Sequence, residues 1–200
     1  MLLGLAALGG DFLHAAYLKY ASLASPAYAM FLTRRAWLWC HLAGGSVGMV
    51  LGLVQFATQR WRRTWRVHRG CGRAYCIAML VAMVGAAGLI ATSPAPFAIR
   101  AAFTATSLAW LVTAGLGWWA IRRGQVQAHR RWMVRAYLVT LAPAVFRLAL
   151  AAVVGHGVAA APGLIAWMLW GSWVLPLPVY ALGAWVMVAG RHQPVRVSVP

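Results

Sequence analysis

Six apolar segments, each about as long as a membrane-crossing helix, account for most of the sequence. A helix needs about 20 mainly apolar residues to cross the ~30 Å hydrocarbon core of a bilayer. With 63% apolar and only 10% charged residues, the chain lies far from the composition of soluble domains. The sequence therefore predicts an all-α polytopic integral membrane protein, a six-transmembrane-helix bundle that forms a single membrane domain over residues 1–200. The predicted helices cover residues 2–18, 37–57, 74–92, 98–121, 133–154 and 163–189.

The first and last segments each depart from a plain apolar helix. Residues 1–9 lack a basic region, and Asp11 follows where a signal-peptide cleavage site would need small residues. We therefore expect a retained helix rather than a removed signal peptide. The last segment contains Pro176 and Pro178, which predict a kink near its middle.

The charged residues are almost all basic. Eighteen Lys and Arg stand against a single acid, Asp11, which gives a formal net charge of +17. Paired-carboxylate glycosidase chemistry and EF-hand calcium loops are excluded, because each needs several acidic side chains. Since the arginines lie between long apolar segments, the partners that they predict are membrane lipids with anionic head groups, and not nucleic acid.

The distribution of basic residues predicts how the chain is oriented. The connector 60–73 holds six arginines and the connector 122–135 holds five. The connectors on the opposite side carry few basic residues. Because cytoplasmic loops are enriched in Lys and Arg, both arginine-rich connectors and both chain termini are expected in the cytoplasm.

A short motif occurs in both arginine-rich connectors. Residues 68–75 and 129–137 each begin with His-Arg and end with Arg-Ala-Tyr, and we refer to them as the two His-Arg motifs. Each motif is expected to open a membrane helix from the inner side. The similarity rests on a few residues and favours two equivalent hairpins, formed by the second and third and by the fourth and fifth segments.

A stripe of glycines follows a histidine in the second segment. After His41, the residues Gly44, Gly48 and Gly52 recur every four positions, and Gln55 continues the series. At 3.6 residues per turn these residues stay near one face of a helix. One interpretation is a surface for close helix packing. The other is a smooth groove for a flat macrocycle, with His41 as its ligand.

Histidine is the strongest metal ligand available in the predicted spans. The three cysteines form no CxxC motif and the chain has no glutamate, so imidazole remains as the donor. Ionisable groups within a membrane are costly, and a functional role is their default hypothesis. Haem b and copper are the cofactors that suit such a donor. The predicted metal ligands are His41, His68, His129 and His14.

A second interpretation applies to the histidines near the inner interface. His68 and His129 are each followed by an arginine, and basic side chains at that depth extend toward the head groups. The sequence leaves open whether these two histidines bind a metal or lie among lipids. The predicted lipid head-group ligands are Arg69, Arg73, Arg130 and Arg135.

Arg147 is expected well inside a span. Counting ~1.5 Å per residue from the start of its helix places it in the outer half of the membrane, near the depth of Asp11 and His14. An unpaired guanidinium there would be expensive. Either Arg147 pairs with Asp11, or it faces a cavity and holds an anionic group such as a haem propionate, a quinone oxygen or a lipid phosphate.

These motifs together resemble those of a bacterial family of predicted membrane proteins, domain of unknown function 2306. The resemblance covers about residues 37–150 directly and implies a six-helix protein of the bacterial inner membrane, without an established activity. It is carried by His41-Leu-Ala-Gly-Gly45, Gln55-Phe56, HRxxGRxY over 68–75, Trp110, His129-Arg-Arg-Trp-Met-Val-Arg135 and Arg147.

The last segment departs from the family pattern. Where members usually carry Trp-x-x-Asn followed by a Glu-Trp pair, this chain has Trp173-Val-Leu-Pro176 and Gly183-Ala-Trp185. Any role of that polar pair is therefore in doubt for this chain.

The sequence is more loosely similar to cytochromes b of the b-561 type, which hold two haems between four central helices. That similarity implies an inner haem on His68 and His129. The outer haem fits poorly, because His41 has no histidine opposite it on the fourth segment. His14 and His156 remain as candidates for the second ligand. The analogy concerns the fold and does not establish a function.

Two functions follow from these readings. The leading one is a haem b-binding electron-transfer protein linked to quinol, which passes electrons to an acceptor or redox partner at the outer face. The competing one is a non-enzymatic module for lipid binding, assembly or small-molecule transport. For the first function, the cofactor-binding residues are His41, His68, His129, His14, Arg147 and Gly48.

Reporter fusions test the predicted orientation. Because eleven arginines lie in two short connectors, a fusion near Gly124 should report a cytoplasmic location. An outward signal from that fusion would contradict the orientation and the depths inferred from it.

Overall fold

The computed structural model describes residues 2–20, 22, 26–59 and 64–189. Within these residues the regular structure is entirely helical, which confirms the predicted all-α fold. Part of the first arginine-rich connector, residues 60–63, and the C-terminal residues 190–200 lie outside the described part. The elements are α1 (Leu2–Tyr20), α2 (Pro26–Ala29), a 3-10 turn (Leu32–Arg34), α3 (Arg35–Thr58), α4 (Trp65–Ala91), α5 (Phe97–Arg122), α6 (Val126–Thr140), α7 (Ala142–Gly155), α8 (Pro162–Val174) and α9 (Pro176–Ala189).

Four helical stretches in the described residues are long and apolar enough to cross a membrane, and a fifth is added if α6 and α7 form one bent span. The helix α1, with 19 residues, is long enough but is not among them, because polar residues such as Asp11, His14 and Lys19 make it less apolar than the others. A membrane protein with several helical spans is therefore confirmed, whereas the count of six is not. The four stretches are Leu32–Thr58, Trp65–Ala91, Phe97–Arg122 and Pro162–Val186.

Prolines interrupt the last two predicted segments. The segment 133–154, expected as one helix, is split at Leu141 and bends by 41°. Pro143 is the second residue of α7 and cannot donate the backbone hydrogen bond that a continuous helix would need. The last segment is split at Leu175, directly before Pro176, which agrees with the predicted kink.

Two helices begin earlier than the sequence predicted. The helix α4 begins at Trp65 rather than at residue 74, and α6 begins at Val126 rather than at residue 133. Apolar segments mark only the hydrocarbon-embedded part of a helix, and arginine is a good helix former that extends the helix beyond it. Both His-Arg motifs therefore lie in the first turns of helices, and not in loops.

The helices α3 and α4 form an antiparallel hairpin with closely approaching backbones. A Cβ added to Gly44 would lie 2.5 Å from the carbonyl oxygen of Ala78 and 2.5 Å from the amide nitrogen of Ala82. From the other side, a Cβ on Gly85 would collide with the backbone of His41. Only glycine allows this separation, so Gly44 of the glycine stripe acts in helix packing, as the first interpretation proposed.

The helices α5 and α6 form a second antiparallel hairpin, and α8 packs against both α5 and α7. One buried cluster joins the two hairpins, with the side chains of Tyr75 from α4, Trp110 from α5 and Val139 from α6 among its members. The arginine-rich ends of both hairpins lie at the same end of the bundle, since Thr58 at the end of α3 contacts His68 and the ring of Tyr137 on α6 lies against Gly52 on α3.

The helix α1 lies antiparallel along α3. Tyr20 shares a buried cluster with Leu38 near the start of α3. Gly9 approaches Met49 farther along, where an added Cβ would lie 3.3 Å from the methionine sulfur. The two contacts are separated by the same number of residues on α1 as on α3. The helix α1 therefore lies beside α3 over most of the length of α1.

The glycine packing can be tested at two adjacent residues. Gly44→Ala should lower the free energy of unfolding by about 1–3 kcal/mol, because the new methyl group must push α4 away. Gly45→Ala is the matched control, since a Cβ there meets nothing within 4 Å. It should leave stability unchanged or raise it by about 0.5–1 kcal/mol, since alanine favours the helix. Thermal unfolding in detergent measures both, and equal stability of the two variants would contradict the close approach.

Candidate functional site

The arginine-rich end brings the two His-Arg motifs together. His68 is the fourth residue of α4 and His129 is the fourth residue of α6. The two imidazoles lie close enough for their charges to interact with one another, and Arg130 acts on His68 as well. Both rings are half-buried. Two of the four predicted metal ligands therefore lie at this end of the bundle.

Each of these histidines is anchored through Nδ1 to the helix that precedes its own. The Nδ1 of His129 lies 2.8 Å from the carbonyl oxygen of Gly117 on α5, so it donates its proton there. The Nδ1 of His68 lies 3.2 Å from the hydroxyl of Thr58 on α3. That hydroxyl already donates to the carbonyl of Val54 at 2.7 Å, so it accepts from His68. In the neutral state both rings therefore keep an unprotonated Nε2.

Gln55 fixes the start of α4 against the end of α3. Its Nε2 donates to the carbonyl oxygen of His68 at 2.5 Å. This carbonyl lies in the first turn of α4, and the contact adds to the Thr58 anchor on the same histidine. The polar residue that the sequence placed after the glycine stripe thus helps to position His68.

A buried hydrogen-bond chain connects three helices in the middle of the bundle. The Nε1 of Trp110 donates to the hydroxyl of Tyr75 at 2.8 Å, and that hydroxyl lies 3.1 Å from the hydroxyl of Thr140. Thr140 in turn donates to the carbonyl of Ala136 at 2.9 Å, so Tyr75 is the donor to Thr140. We call this series the Trp–Tyr–Thr chain. The sequence analysis missed Thr140, which no motif distinguishes.

The tyrosines that end the two His-Arg motifs fill the glycine stripe. The ring of Tyr137 lies against Gly52, and its hydroxyl donates to the carbonyl of Met49 at 3.2 Å. At Gly48, a Cβ would lie 3.5 Å from the ring of Trp110 and 4.0 Å from the ring of Tyr75. Protein side chains therefore occupy the space that the macrocycle interpretation reserved at Gly48.

The outer pair of predicted ligands does not form a comparable site. The Nδ1 of His41 lies 3.1 Å from the carbonyl oxygen of Ala82, to which it donates. His14 is exposed on α1, away from the residues that pack on α3. Among the described residues, no group of three or more His, Cys, Asp or Glu could hold a metal ion.

Arg147 contacts an aromatic ring rather than the single acid. Its guanidinium lies 5.0 Å over the ring of Phe12 on α1. This contact places α1 beside α7, as the proposed ion pair required. Asp11 itself is exposed, and in the part of the chain that the structure describes it forms no ion pair with Arg147. A cation–π contact thus stands where a salt bridge was expected.

The predicted head-group ligands divide into two kinds. Arg69, Arg73 and Arg130 are exposed at the arginine-rich end, where lipid head groups can reach them. Arg135 instead stacks on protein, with its guanidinium 4.9 Å from the ring of Trp132 and 5.7 Å from the ring of Tyr180. It therefore connects α6 to α9.

The fold and the site define a polytopic helical membrane protein, built from two hairpins around a buried hydrogen-bond chain. The sequence profile of the family described as Predicted membrane protein (DUF2306) matches residues 38–186, and the chain belongs to that family. No curated protein and no solved structure shows significant similarity to the chain. The family inferred from the motifs is thus confirmed, while the similarity to b-561 cytochromes gains no support.

Tyr75→Phe tests the Trp–Tyr–Thr chain. The change leaves the buried N–H of Trp110 without its acceptor, and an unsatisfied buried donor costs about 1–3 kcal/mol. We expect that loss in the free energy of unfolding, measured by thermal or denaturant unfolding in detergent. Tyr17→Phe is the control, because Tyr17 is 69% exposed and should tolerate the change. If the Tyr75→Phe protein were as stable as the control, the Trp–Tyr–Thr chain would not be what holds the hairpins together.

Proposed function

We propose that this protein binds haem b at its arginine-rich end and transfers electrons in the bacterial inner membrane. The proposal is carried by one observation: His68 and His129 lie at equivalent helix positions at the same end of the bundle, with Nδ1 anchored and Nε2 available. A metal-binding histidine commonly donates its other ring proton to a protein acceptor, which fixes the tautomer and orients the ring.

The donor set fits haem better than copper. The imidazoles of His68 and His129 are the two protein groups that would hold a haem iron. Blue-copper sites use three or more protein ligands, and the described residues contain no such group. Arg69, Arg73 and Arg130 are the residues that would pair with the haem carboxylates. Bound haem b supplies a reversible one-electron couple.

A single haem is proposed rather than two. His41 donates to Ala82 and packs against Gly85, while the glycine stripe is filled by the rings of Tyr75, Trp110 and Tyr137. These contacts leave His68 and His129 as the supported site for a haem. Gly48, His14 and Arg147 have no part in that location.

Quinol is the electron donor that we propose. It is an apolar molecule that dissolves in the bilayer, and small ligands of this kind occupy clefts of about 300–1,000 Å³. An open, mainly apolar cleft of about 460 Å³ lies between α1 and α3. Tyr17 and Ser46 supply hydroxyl groups to its lining, which is the chemistry that a quinone oxygen needs.

Six spans and cytoplasmic termini complete the proposal. The helix α1 runs antiparallel along α3 from Tyr20 beside Leu38 to Gly9 beside Met49. A helix that follows a membrane span over such a length is best placed as a span itself. An even number of spans puts both termini on the side of the arginine-rich connectors, which the basic residues assign to the cytoplasm.

A second candidate function is a lipid-binding, assembly or transport module without a redox group. It is favoured by the arginines at this end, which have only Asp11 as a possible acidic partner in the chain. Two of them rest on indole rings, with Arg122 5.6 Å over Trp118 and Arg123 3.9 Å over Trp119. Tryptophan and arginine at such a position are typical of an interface with anionic lipid.

The absorption spectrum of the purified protein distinguishes the two functions. With haem b bound, the protein should show a Soret band and an α band that change on reduction. His68→Ala and His129→Ala should each remove most of the haem signal, because each takes away one axial ligand. His156→Ala is the control, since that exposed histidine bonds within its own helix to Ala152 at 2.7 Å.

The opposite results would contradict the redox proposal. A colourless, folded protein from cells supplied with haem precursor would do so, as would an unchanged spectrum in both histidine variants. Enrichment of anionic phospholipid in that colourless protein, lost on replacing Arg69 and Arg130 with Gln, would favour the second function.

A further inference from the structure

The helix α1 presents a polar stripe on the side opposite to the bundle. Its packing side carries Gly9, Leu13, Ala16 and Tyr20, which lie against α3 or its neighbours. At 3.6 residues per turn, four exposed residues fall within about 30° of the opposite direction and His14 lies about 50° from it. This outer stripe consists of Gly4, Ala7, Asp11, His14 and Leu18.

The spacing of the outer stripe is that of a helix–helix seam. Its members are separated by three and four residues in turn, which is the heptad spacing of two helices that wrap around each other. Gly4 and Ala7 are small enough to let another backbone approach, as membrane helix pairs commonly require.

Asp11 is the residue of the outer stripe that most needs a polar partner. It lies one residue before Phe12, whose side chain packs against the buried cluster that contains Met49 and Tyr137. It is nevertheless exposed, and it forms no ion pair with the basic residues that the structure describes. A carboxylate that faces lipid at that depth has a high free-energy cost. This face of α1 therefore needs a polar partner.

We propose that a second copy of this chain covers the outer stripe, so that α1 pairs with α1 of the partner copy. The inference rests on α1 crossing the bilayer, as proposed above, and is independent of haem binding. Copies inserted in the same orientation are related by a two-fold axis along the membrane normal, which makes their α1 helices parallel.

The charges of the outer stripe are complementary to themselves under this symmetry. Asp11 and His14 lie one helical turn apart on the same face. In a parallel pair, Asp11 of each copy is within one turn of His14 of the other. Each carboxylate then has an imidazole of the other copy as a hydrogen-bonding partner, and the small residues Gly4 and Ala7 permit the close contact. A partner of different sequence would have to supply a histidine or an arginine at the same depth.

Disulfide cross-linking in membranes tests the pairing. In a background with Cys40, Cys71 and Cys76 replaced by Ala, Ala7→Cys should give an oxidised dimer of the chain. Ala6→Cys is the matched control, because Ala6 is also exposed but points about 100° away from the stripe. We expect at least about threefold more dimer for Ala7→Cys than for Ala6→Cys.

Asp11→Leu then tests the chemistry of the pairing. In the Ala7→Cys background it should weaken dimer formation by about three- to tenfold, which is the size of an interhelical polar contact in a membrane. An unchanged melting temperature of the monomer in detergent would show that the fold survives. Equal cross-linking at residues 6 and 7, no effect of Asp11→Leu, or a cross-link only to a different protein would each overturn the proposal.

Discussion

The close backbone contact between α3 and α4 is the constraint on which the rest of the structure depends. Lipid tails are as apolar as the helices, so membrane helices associate through close packing and hydrogen bonds rather than through the hydrophobic effect. Gly44 and Gly85 let the two backbones meet. That register brings Gln55 to the carbonyl of His68 and Thr58 to its ring. The position of His68 is thus a consequence of glycine packing several turns away.

The Trp–Tyr–Thr chain completes the contact between the two hairpins. Its hydrogen bonds all run in one direction, from Trp110 to Tyr75, then to Thr140, and finally to a backbone carbonyl. Because the last acceptor is a carbonyl, which has no proton to pass on, the chain is a structural device and not a proton path. Its value lies in giving the polar groups of Trp110, Tyr75 and Thr140 partners inside the bundle.

The sequence predicted those features that depend on local pattern alone. Apolar length identified four of the spans, and the spacing of Gly44, Gly48 and Gly52 identified a packing face, since both follow directly from helix geometry. The partner of Arg147 could not be predicted, because depth says nothing about rotation around the helix axis. Asp11 shares that depth, yet α1 is turned so that Phe12 meets the guanidinium. The break at Leu141 was missed although Pro143 marks it.

The arginine-rich end by itself does not distinguish the two proposed functions. Eighteen basic residues against one acid make any anionic group favourable there, and a haem carboxylate and a lipid phosphate satisfy Arg69 or Arg130 equally. The histidines make the difference. Thr58 and Gly117 accept the Nδ1 proton of their respective rings, which orients both imidazoles. A lipid phosphate needs no such orientation, whereas a metal bound at the other ring nitrogen does.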